Sequence, residues 1–263
     1  RFRTSGNAFL DANYYTSTFS DFRDVIKNPD IDMVCIATPD HWHAYMSVEA
    51  MKAGKDVFVE KPICLSEEEM ELILKTEAET GAKVQVGQVI RQWTEYVWLK
   101  KTVDAGTFGK IQHAMFRRLS GKPTWAWENW LHQVDKSGGV AVDMHVHDVD
   151  FVRYILGEPD VVKAHARRDA EGAIQQINAV YGYGKDVSVA VEAGWDYPAT
   201  FPFTADFRVE FEKATVIGGG GVVFRSARRR AADYGAHRLA RCRPHCRRLS
   251  AKRSPVRRQC AHQ

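Results

Sequence analysis

The fold of this chain is decided by one short stretch, Val57-Phe58-Val59-Glu60-Lys61-Pro62. It is an apolar strand that stops on an acid, a lysine and a proline, and the proline ends the strand because it has no backbone donor. Ligands of parallel α/β sheets bind outside the carboxyl ends of the strands. Lys61 is therefore predicted to lie where a substrate or cofactor binds, although a solvated lysine at a strand end gives the same pattern.

Strands and helices alternate on both sides of this stretch. An apolar strand at residues 31–37 precedes it, and a helix capped by Gly54 connects the two. Ser66 and Glu69 form a capping box that opens the next helix, and residues 83–87 form a third strand. This order predicts a parallel sheet with right-handed crossovers.

Polar residues follow all three predicted strands. The first strand is followed by residues 38–43, Thr-Pro-Asp-His-Trp-His, the second by Glu60 to Pro62, and the third by Gln88 to Arg91. The carboxyl ends of parallel strands lie at the same edge of a sheet, where ligands bind. Three polar strand ends at one edge indicate a ligand site more strongly than any one of them alone.

A second candidate segment is residues 138–150, which reads Gly-Gly-Val-Ala-Val-Asp-Met-His-Val-His-Asp-Val-Asp. It predicts the start of a helix that continues to Leu156. In an Asp-x-x-x-His pair the carboxylate orients or charges the imidazole, as a general base requires. A structural salt bridge or a helix cap has the same spacing. One helix face carries polar residues at i, i+4, i+7 and i+11, namely Asp143, His147, Asp150 and Tyr154.

Beyond Asp160 the apolar pattern changes to period two, which predicts a mostly antiparallel sheet. A strand is expected near residues 111–119, and the glycine run at residues 218–221 is expected to be a loop. Between these two segments the expected strands are residues 161–168, 174–183, 187–195 and 207–212. Before them, a loop is dense in indole. Its side chains belong either to the core or to a wall on which an apolar sugar face stacks. They are Trp125, Trp127 and Trp130.

The composition is that of a soluble globular protein, with 44% hydrophobic and 27% charged residues among 263. No apolar run approaches the ~20 residues of a membrane span, and the first ten residues lack a signal-peptide centre, so we expect a cytoplasmic protein with no membrane partner. The five cysteines show no disulfide framework. The body carries an excess of acids, and the basic charge is concentrated after residue 225.

Three segments together resemble the Gfo/Idh/MocA family of NAD(P)-dependent sugar and cyclitol oxidoreductases. They occur in the family's order and with similar spacing, and the resemblance covers roughly residues 13–225. The segments are Ala37-Thr38-Pro39-x-x-x-His43, Glu60-Lys61-Pro62, and Gly138-Gly139-x-x-x-Asp143-x-x-x-His147-x-x-Asp150.

The resemblance implies an α/β fold class in three parts. Residues 1–109 are expected to form a partial Rossmann domain with a parallel sheet, in which the first strand and the glycine-rich turn are missing. Residues 110–225 are expected to form an α+β substrate and oligomerisation domain. Its open, mostly antiparallel sheet implies a homodimer or homotetramer. Residues 226–263 remain as a basic tail.

The implied reaction is hydride transfer between NAD or NADP and a hydroxyl carbon of a sugar, polyol or cyclitol. Lys61 is expected to hold the reacting hydroxyl and His147 to take its proton, while Asp143 contacts the substrate. His145, which stands where many relatives have glycine, and Arg91 are further expected substrate contacts. The cofactor is expected to meet the strand-end residues Thr38, Pro39, His41, His43, Glu60, Lys61, Pro62 and Gln88.

Two departures from the family pattern affect these expectations. No G-x-G-x-x-G occurs in the sequence, so we expect this chain to be inactive alone, because the backbone N–H groups of that turn hold the pyrophosphate. The tail has eleven Arg and one Lys against a single acid. It matches a nucleic-acid-binding tail, or a zinc site at Cys242-x-x-x-Cys246 with His237 and His245. We favour a non-native, disordered terminus with no nucleic-acid partner.

Three other functions fit parts of the pattern. Some relatives use a tightly held NAD for transient oxidation during glycoside cleavage, and a ligand-binding regulator on the same fold needs no turnover. A metal hydrolase is the weakest alternative, and we expect no metal. Its ligands would be Asp143, His145, His147 and Asp148, but His145 and His147 lie about 200° apart on one helix and cannot chelate together.

Overall fold

The computed structural model describes residues 18–227, which form two sheets. The first has three strands and the second has seven. The expected order, a parallel sheet followed by an open and mostly antiparallel one, is confirmed. The predictions for residues 1–17 and for the cysteines and histidines of the tail concern residues outside the described range.

The first sheet has the order β1-β2-β3, and both of its pairings are parallel. Helices connect its strands, as the alternating pattern predicts. The strands are β1 (Met33–Ile36), β2 (Asp56–Glu60) and β3 (Val84–Gly87), and the helices are α1 (Phe22–Lys27), α2 (His43–Lys52) and α3 (Glu67–Thr80).

The ends of α3 show why the sequence predicts its bounds well. Ser66 Oγ accepts a hydrogen bond from the Glu69 backbone N–H at 3.2 Å, and the Glu69 carboxylate accepts one from Leu65 N at 2.8 Å. These bonds satisfy backbone donors that the first turn leaves open. At the other end Gly81 takes φ 71°, a left-handed conformation that glycine adopts without steric cost.

The core of the first sheet lies between β2 and α2. Val57 and Val59 of β2 are buried, and so are Val48 and Met51 of α2. Each such side chain stabilises the fold by about 1.5–3 kcal/mol relative to full exposure. This packing holds β2 in the middle of the sheet, so Lys61 follows a strand whose end is rigidly placed.

The second sheet has the order β10-β9-β8-β4-β7-β6-β5, and only its β4–β7 pairing is parallel. Tyr96, Phe116, Phe151 and Phe207 form an aromatic cluster in its core. The strands are β4 (Ile111–Gly121), β5 (Val161–Arg168), β6 (Ile174–Tyr183), β7 (Val187–Tyr197), β8 (Thr204–Phe211), β9 (Ala214–Gly219) and β10 (Val222–Ala227), with helices α4 (Thr94–Asp104), α5 (Val134–Ser137) and α6 (Val146–Leu156).

Two strands of this sheet are missing from the sequence-based expectation, which places Gly218 to Gly221 in a loop. In the structure Gly218 and Gly219 pair with β8 as part of β9, and only Gly220 and Gly221 form the turn into β10. Glycine is rare in strands, so a sequence with four consecutive glycines does not indicate β9 and β10. Gly218 fits because the Phe207 ring lies where a Cβ atom would stand.

The segment before α6 also differs from expectation. A continuous helix from residue 138 is predicted, but Val140–Met144 is a π-helical turn and α6 begins at Val146. The His145 N–H donates to Val140 O at 2.9 Å, which is an i→i+5 bond. Such a turn holds one residue more than an α-helical turn, so Asp143 is rotated out of the predicted face.

Candidate active site

Lys61 and Asp143 form the centre of the candidate site. Lys61 follows β2, and its Nζ donates to Asp143 Oδ1 at 2.5 Å and to the Asp143 backbone oxygen at 2.9 Å. Their side chains are 17% and 16% exposed, so water screens the charge pair only partly. The structure therefore brings together two motifs that lie 82 residues apart in the sequence.

His43 connects the ends of β1 and β2. Its ring is 1% exposed, with Nδ1 2.7 Å from Pro62 O and Nε2 2.8 Å from Thr38 O. Both ring nitrogens thus lie against backbone carbonyls on either side of the ring. This geometry fixes the turn that carries Lys61, and a direct contact of His43 with a cofactor remains a prediction.

The ends of β2 and β3 also meet, as their polar residues predict. The Glu60 carboxylate lies across Gly87, where a Cβ atom would stand 3.1 Å from Oε2. A larger residue at Gly87 would therefore displace this carboxylate. Gln88 follows directly, and its Oε1 is buried without a protein partner. The strand ends thus present an acid and an unpaired amide oxygen beside Lys61.

His147 is a neutral imidazole near this pair. Burial lowers its pKa to about 2, and the positive charges of Arg118 and Lys61 lower it further. Its Nδ1 is buried without a partner. The i, i+4 spacing predicts that the Asp143 carboxylate orients His147. In the structure this carboxylate is paired with Lys61 instead. The π-helical turn is the physical reason, because it rotates Asp143 away from the face of α6.

His145 packs into the second sheet. Its Nε2 lies 3.4 Å from Val191 O, and its ring stacks on Tyr181 with centroids 6.4 Å apart. The residue is 4% exposed, and burial lowers its pKa to about 4. This environment argues against the predicted substrate contact.

Arg91 connects the end of β3 to α6. Its guanidinium donates to both Asp150 oxygens, at 2.7 and 2.6 Å, and lies 4.4 Å above the Tyr154 ring. The predicted polar face of α6 is thus occupied in part by an ion pair. A contact of Arg91 with a substrate remains a prediction.

Asp148 faces the core and has its own partner. Arg118 donates to its two oxygens at 2.8 and 3.3 Å, and both side chains are almost fully buried. Tyr96 OH lies 3.3 Å from Oδ1. A metal site that includes Asp148 would have to break this pair. Within residues 18–227 no group of three or more His, Cys, Asp or Glu side chains is arranged to hold a metal ion.

Asp40 is the site residue that sequence reasoning missed. It lies in the short 3₁₀ turn after β1, is 3% exposed, and its Oδ2 has no hydrogen-bond partner. Burial raises its pKa to about 8, the negative charge of Asp143 raises it as well, and Lys61 lowers it. The polar run after β1 was a signal, but sequence does not show which of its side chains is buried.

The neighbouring His41 packs towards α5 and has a buried, unpartnered Nδ1; burial is also the main reason that its pKa is lowered. Thr38 and Pro39 are half-buried, and Thr38 Oγ1 contacts Met46 Sδ at 3.6 Å. A cofactor contact of these three residues remains a prediction. Their placement at the end of β1 agrees with it.

The indole-rich loop is largely exposed. Trp125 is 79% and Trp127 65% exposed, whereas Trp130 is half-buried. A core role is therefore wrong for the first two rings, and a stacking surface for a sugar remains a prediction. No helix in the described part of the chain is long and apolar enough to cross a bilayer.

A cleft of about 530 Å³ lies elsewhere, between the start of α4 and the turn that connects β9 to β10. Lys61, Asp143 and His147 do not line this cleft. The strand-end site is the better candidate for chemistry, because charged groups with perturbed pKa values converge there.

Comparisons with known proteins agree with this geometry. Residues 3–88 match a family described as oxidoreductase family, NAD-binding Rossmann fold, and residues 96–217 match the GFO/IDH/MocA C-terminal domain. The scyllo-inositol 2-dehydrogenase (NAD(+)) of Bacillus subtilis (strain 168) is 34% identical over 209 residues, which are 76% of this chain and 57% of that protein.

Two further relatives complete the comparison. The inositol 2-dehydrogenase of Rhodococcus jostii (strain RHA1) is 33% identical over 196 residues, 70% of this chain and 50% of that protein. The structure of levoglucosan dehydrogenase in complex with NADH and levoglucosan has a TM-score of 0.74 at 22% identity and supports the fold; the match covers 85% of this chain and 64% of that one. The chain spans about half to two thirds of the length of these relatives.

Proposed function

We propose that this chain, which belongs to the GFO/IDH/MocA family of oxidoreductases, transfers a hydride between NAD or NADP and a hydroxyl carbon of a sugar, polyol or cyclitol. The observation that supports this most directly is the Lys61–Asp143 pair at the end of β2, with a neutral His147 nearby. These three residues are the proposed catalytic group. The whole protein's substrate is expected to be a small polyhydroxylated molecule.

The strand ends fit the nicotinamide side of a dinucleotide. Gln88 Oε1 is buried without a partner and can accept a hydrogen bond, and Glu60 and Pro62 border the same edge of the sheet. When bound, NAD(P)+ supplies the hydride acceptor. No G-x-G-x-x-G is present in the sequence to hold the pyrophosphate, so we propose that these 263 residues alone are inactive and that turnover requires this turn to be restored.

Lys61 acts on the oxygen of the reacting hydroxyl. Its ammonium donates a hydrogen bond to that oxygen and stabilises the negative charge that develops there. Asp143 holds the ammonium in place through its carboxylate and its backbone oxygen. Because the pair is only about one sixth exposed, its electrostatic effect is stronger than it would be in water.

His147 accepts the hydroxyl proton. Its lowered pKa leaves the ring neutral when no ligand is bound, and the neutral ring is the form that accepts a proton. A pKa near 2 also makes it a weak base, so the mechanism requires the negative charge developing on the substrate oxygen to raise this pKa during the reaction. Its Nδ1 is buried and has no protein partner. Arg91, Thr38, Pro39, His41 and His43 would shape the site around these groups.

The assembly and location are part of the same proposal. A homodimer or homotetramer would use the outer face of the second sheet, and residues 1–109 and 110–225 would act as the cofactor and substrate domains. Free thiols at Cys35 and Cys64 support a cytoplasmic location. The exposed large apolar side chains on the described strands of that sheet are Val161, Val162, Val180, Ile217, Val222 and Phe224.

A substrate panel tests this function. The protein tested is this chain with the family's first strand and glycine-rich turn restored at its N-terminus, and the same protein is used for every turnover measurement below. Inositols, monosaccharides and anhydrosugars would be offered with NAD+ and with NADP+, and cofactor reduction would be followed by absorbance. We expect reduction with at least one polyol and its loss in Lys61→Met. Glycoside hydrolysis without net cofactor reduction would instead support the glycosidase alternative. Ligand binding without any turnover across the panel would support the regulator.

A further inference from the structure

Asp40 is a buried acid that the proposed mechanism does not use. It belongs to the 3₁₀ turn Asp40–Trp42, which α2 continues. The residue is 3% exposed, and Oδ2 is sealed from solvent without a hydrogen-bond partner. An unpaired ionised carboxylate in such a position is costly, so the group is held as the neutral acid.

The charged groups that act on Asp40 come from the catalytic pair. Asp40 follows β1 and Lys61 follows the neighbouring β2, and His43 joins the two turns through Thr38 O and Pro62 O. Across this short span the charge of Asp143 opposes ionisation of Asp40 and that of Lys61 favours it. Among neighbouring elements, α2 contributes His43, which is held by two backbone carbonyls, and α5 contributes Asp135 and Lys136, which act on His41. Asp40, Lys61 and Asp143 thus form one electrostatic cluster with two acids and one cation.

We propose that Asp40 is a positioning residue of the active site, whose neutral acid form leaves the Lys61 ammonium on Asp143. Once ionised, the Asp40 carboxylate competes with Asp143 for Lys61. The ammonium then no longer points at the reacting oxygen, and turnover falls. This inference rests on the proposed function only where turnover is concerned, because the protonation of Asp40 and its coupling to Lys61 are properties of the folded protein.

The stability of Asp40→Asn tests the protonation state. Burial raises the pKa of Asp40 from 3.8 to about 8, so the folded chain keeps a proton that the unfolded chain releases in this window. The wild type therefore loses stability as pH rises from about 4 to about 8, and the asparagine variant does not. We expect the Tm advantage of Asp40→Asn to be small near pH 4 and to grow by several degrees towards pH 8.

Asp135→Asn is the matched control, since Asp135 is an exposed carboxylate on α5. Its Tm difference from the wild type should not grow over the same range. A Tm difference for Asp40→Asn that is constant from pH 4 to pH 8 would show that Asp40 is not a buried neutral acid, and would overturn the proposal.

The coupling to Lys61 is tested by repeating the comparison in a Lys61→Met background. Without the ammonium, ionised Asp40 has no nearby cation, so the alkaline Tm gain of Asp40→Asn should be larger than in the wild type. Equal gains in the two backgrounds would mean that Asp40 does not act on Lys61, and would contradict the positioning role.

Turnover separates this proposal from the proposed function. We expect kcat of the wild type to fall between about pH 7 and pH 9, and kcat of Asp40→Asn to stay level, within about threefold of the wild type at lower pH. An unchanged alkaline fall in Asp40→Asn contradicts the positioning role. If neither protein turns over any polyol, the proposed function fails, while the two Tm experiments still decide the role of Asp40.

Discussion

Lys61 Nζ contacts two oxygen atoms of Asp143, Oδ1 at 2.5 Å and the backbone carbonyl at 2.9 Å. Lys61 follows β2 of the first sheet, and Asp143 lies in the π-helical turn before α6. This single contact joins the cofactor side of the proposed site to its substrate side.

Replacing Lys61 with Met should reduce kcat about 10²- to 10³-fold, because it removes the donor at the developing negative charge. The Kd for NAD(H), measured by fluorescence titration, should change little. Lys52→Met is the matched control, since Lys52 is exposed and pairs with Glu49 on the surface of α2. An unchanged kcat in Lys61→Met would remove Lys61 from the mechanism.

Replacing His147 with Gln should reduce kcat about 10²- to 10⁴-fold, as expected for loss of a general base. His145→Gln provides the comparison two residues away, because His145 packs against Val191 and Tyr181 in the second sheet. It should keep most of the turnover at a lower Tm. The opposite ranking of the two variants would exchange their roles.

The buried Arg118–Asp148 pair should matter far more for stability than a surface pair. Asp148→Ala leaves the buried guanidinium unpaired and should lower the free energy of unfolding by about 3–5 kcal/mol. Glu158→Ala breaks the exposed pair with Arg153 and should cost at most about 1 kcal/mol. Urea unfolding measures both. Equal losses would contradict the burial of the first pair.

Acid should destabilise the fold through His145. Burial lowers the pKa of His145 from 6.5 to about 4, so the unfolded chain takes up a proton before the folded chain does. Stability is therefore complete above about pH 6.5 and is lost as pH falls towards 4. The Tm of His145→Met should fall less steeply over this range, although His147 leaves some acid dependence. Identical slopes would refute this assignment.

The exposed indole of Trp125 offers a test of sugar stacking. Trp125→Ala should leave Tm nearly unchanged, because the ring is 79% exposed. If the ring stacks on substrate, KM for the preferred polyol should rise up to about tenfold with little change in kcat. Phe203→Ala removes another exposed aromatic ring and should not change KM. Equal KM values in the wild type and Trp125→Ala would dismiss the stacking surface.

Much of the first sheet could be predicted, because local signals agree there. The strand at Asp56–Glu60 and the cap at Ser66 were placed correctly from apolar runs and turn residues. In the second sheet β9 and β10 were missed, because the run Gly218 to Gly221 resembles a loop. Pairing with β8 and contact with Phe207 make a strand of its first half, and glycine, which has no side chain, shows no period-two pattern that would indicate this strand.

The sequence by itself determined the alternation of strands and helices, the convergence of polar strand ends, and the residue types needed for proton and hydride chemistry. Only the tertiary structure decided that Asp143 pairs with Lys61, that His145 turns into the sheet, and that Asp40 is sealed beside them. The physical reason is that the partner and the burial of a charged side chain depend on distant segments. Periodicity reports only the immediate neighbours along the chain.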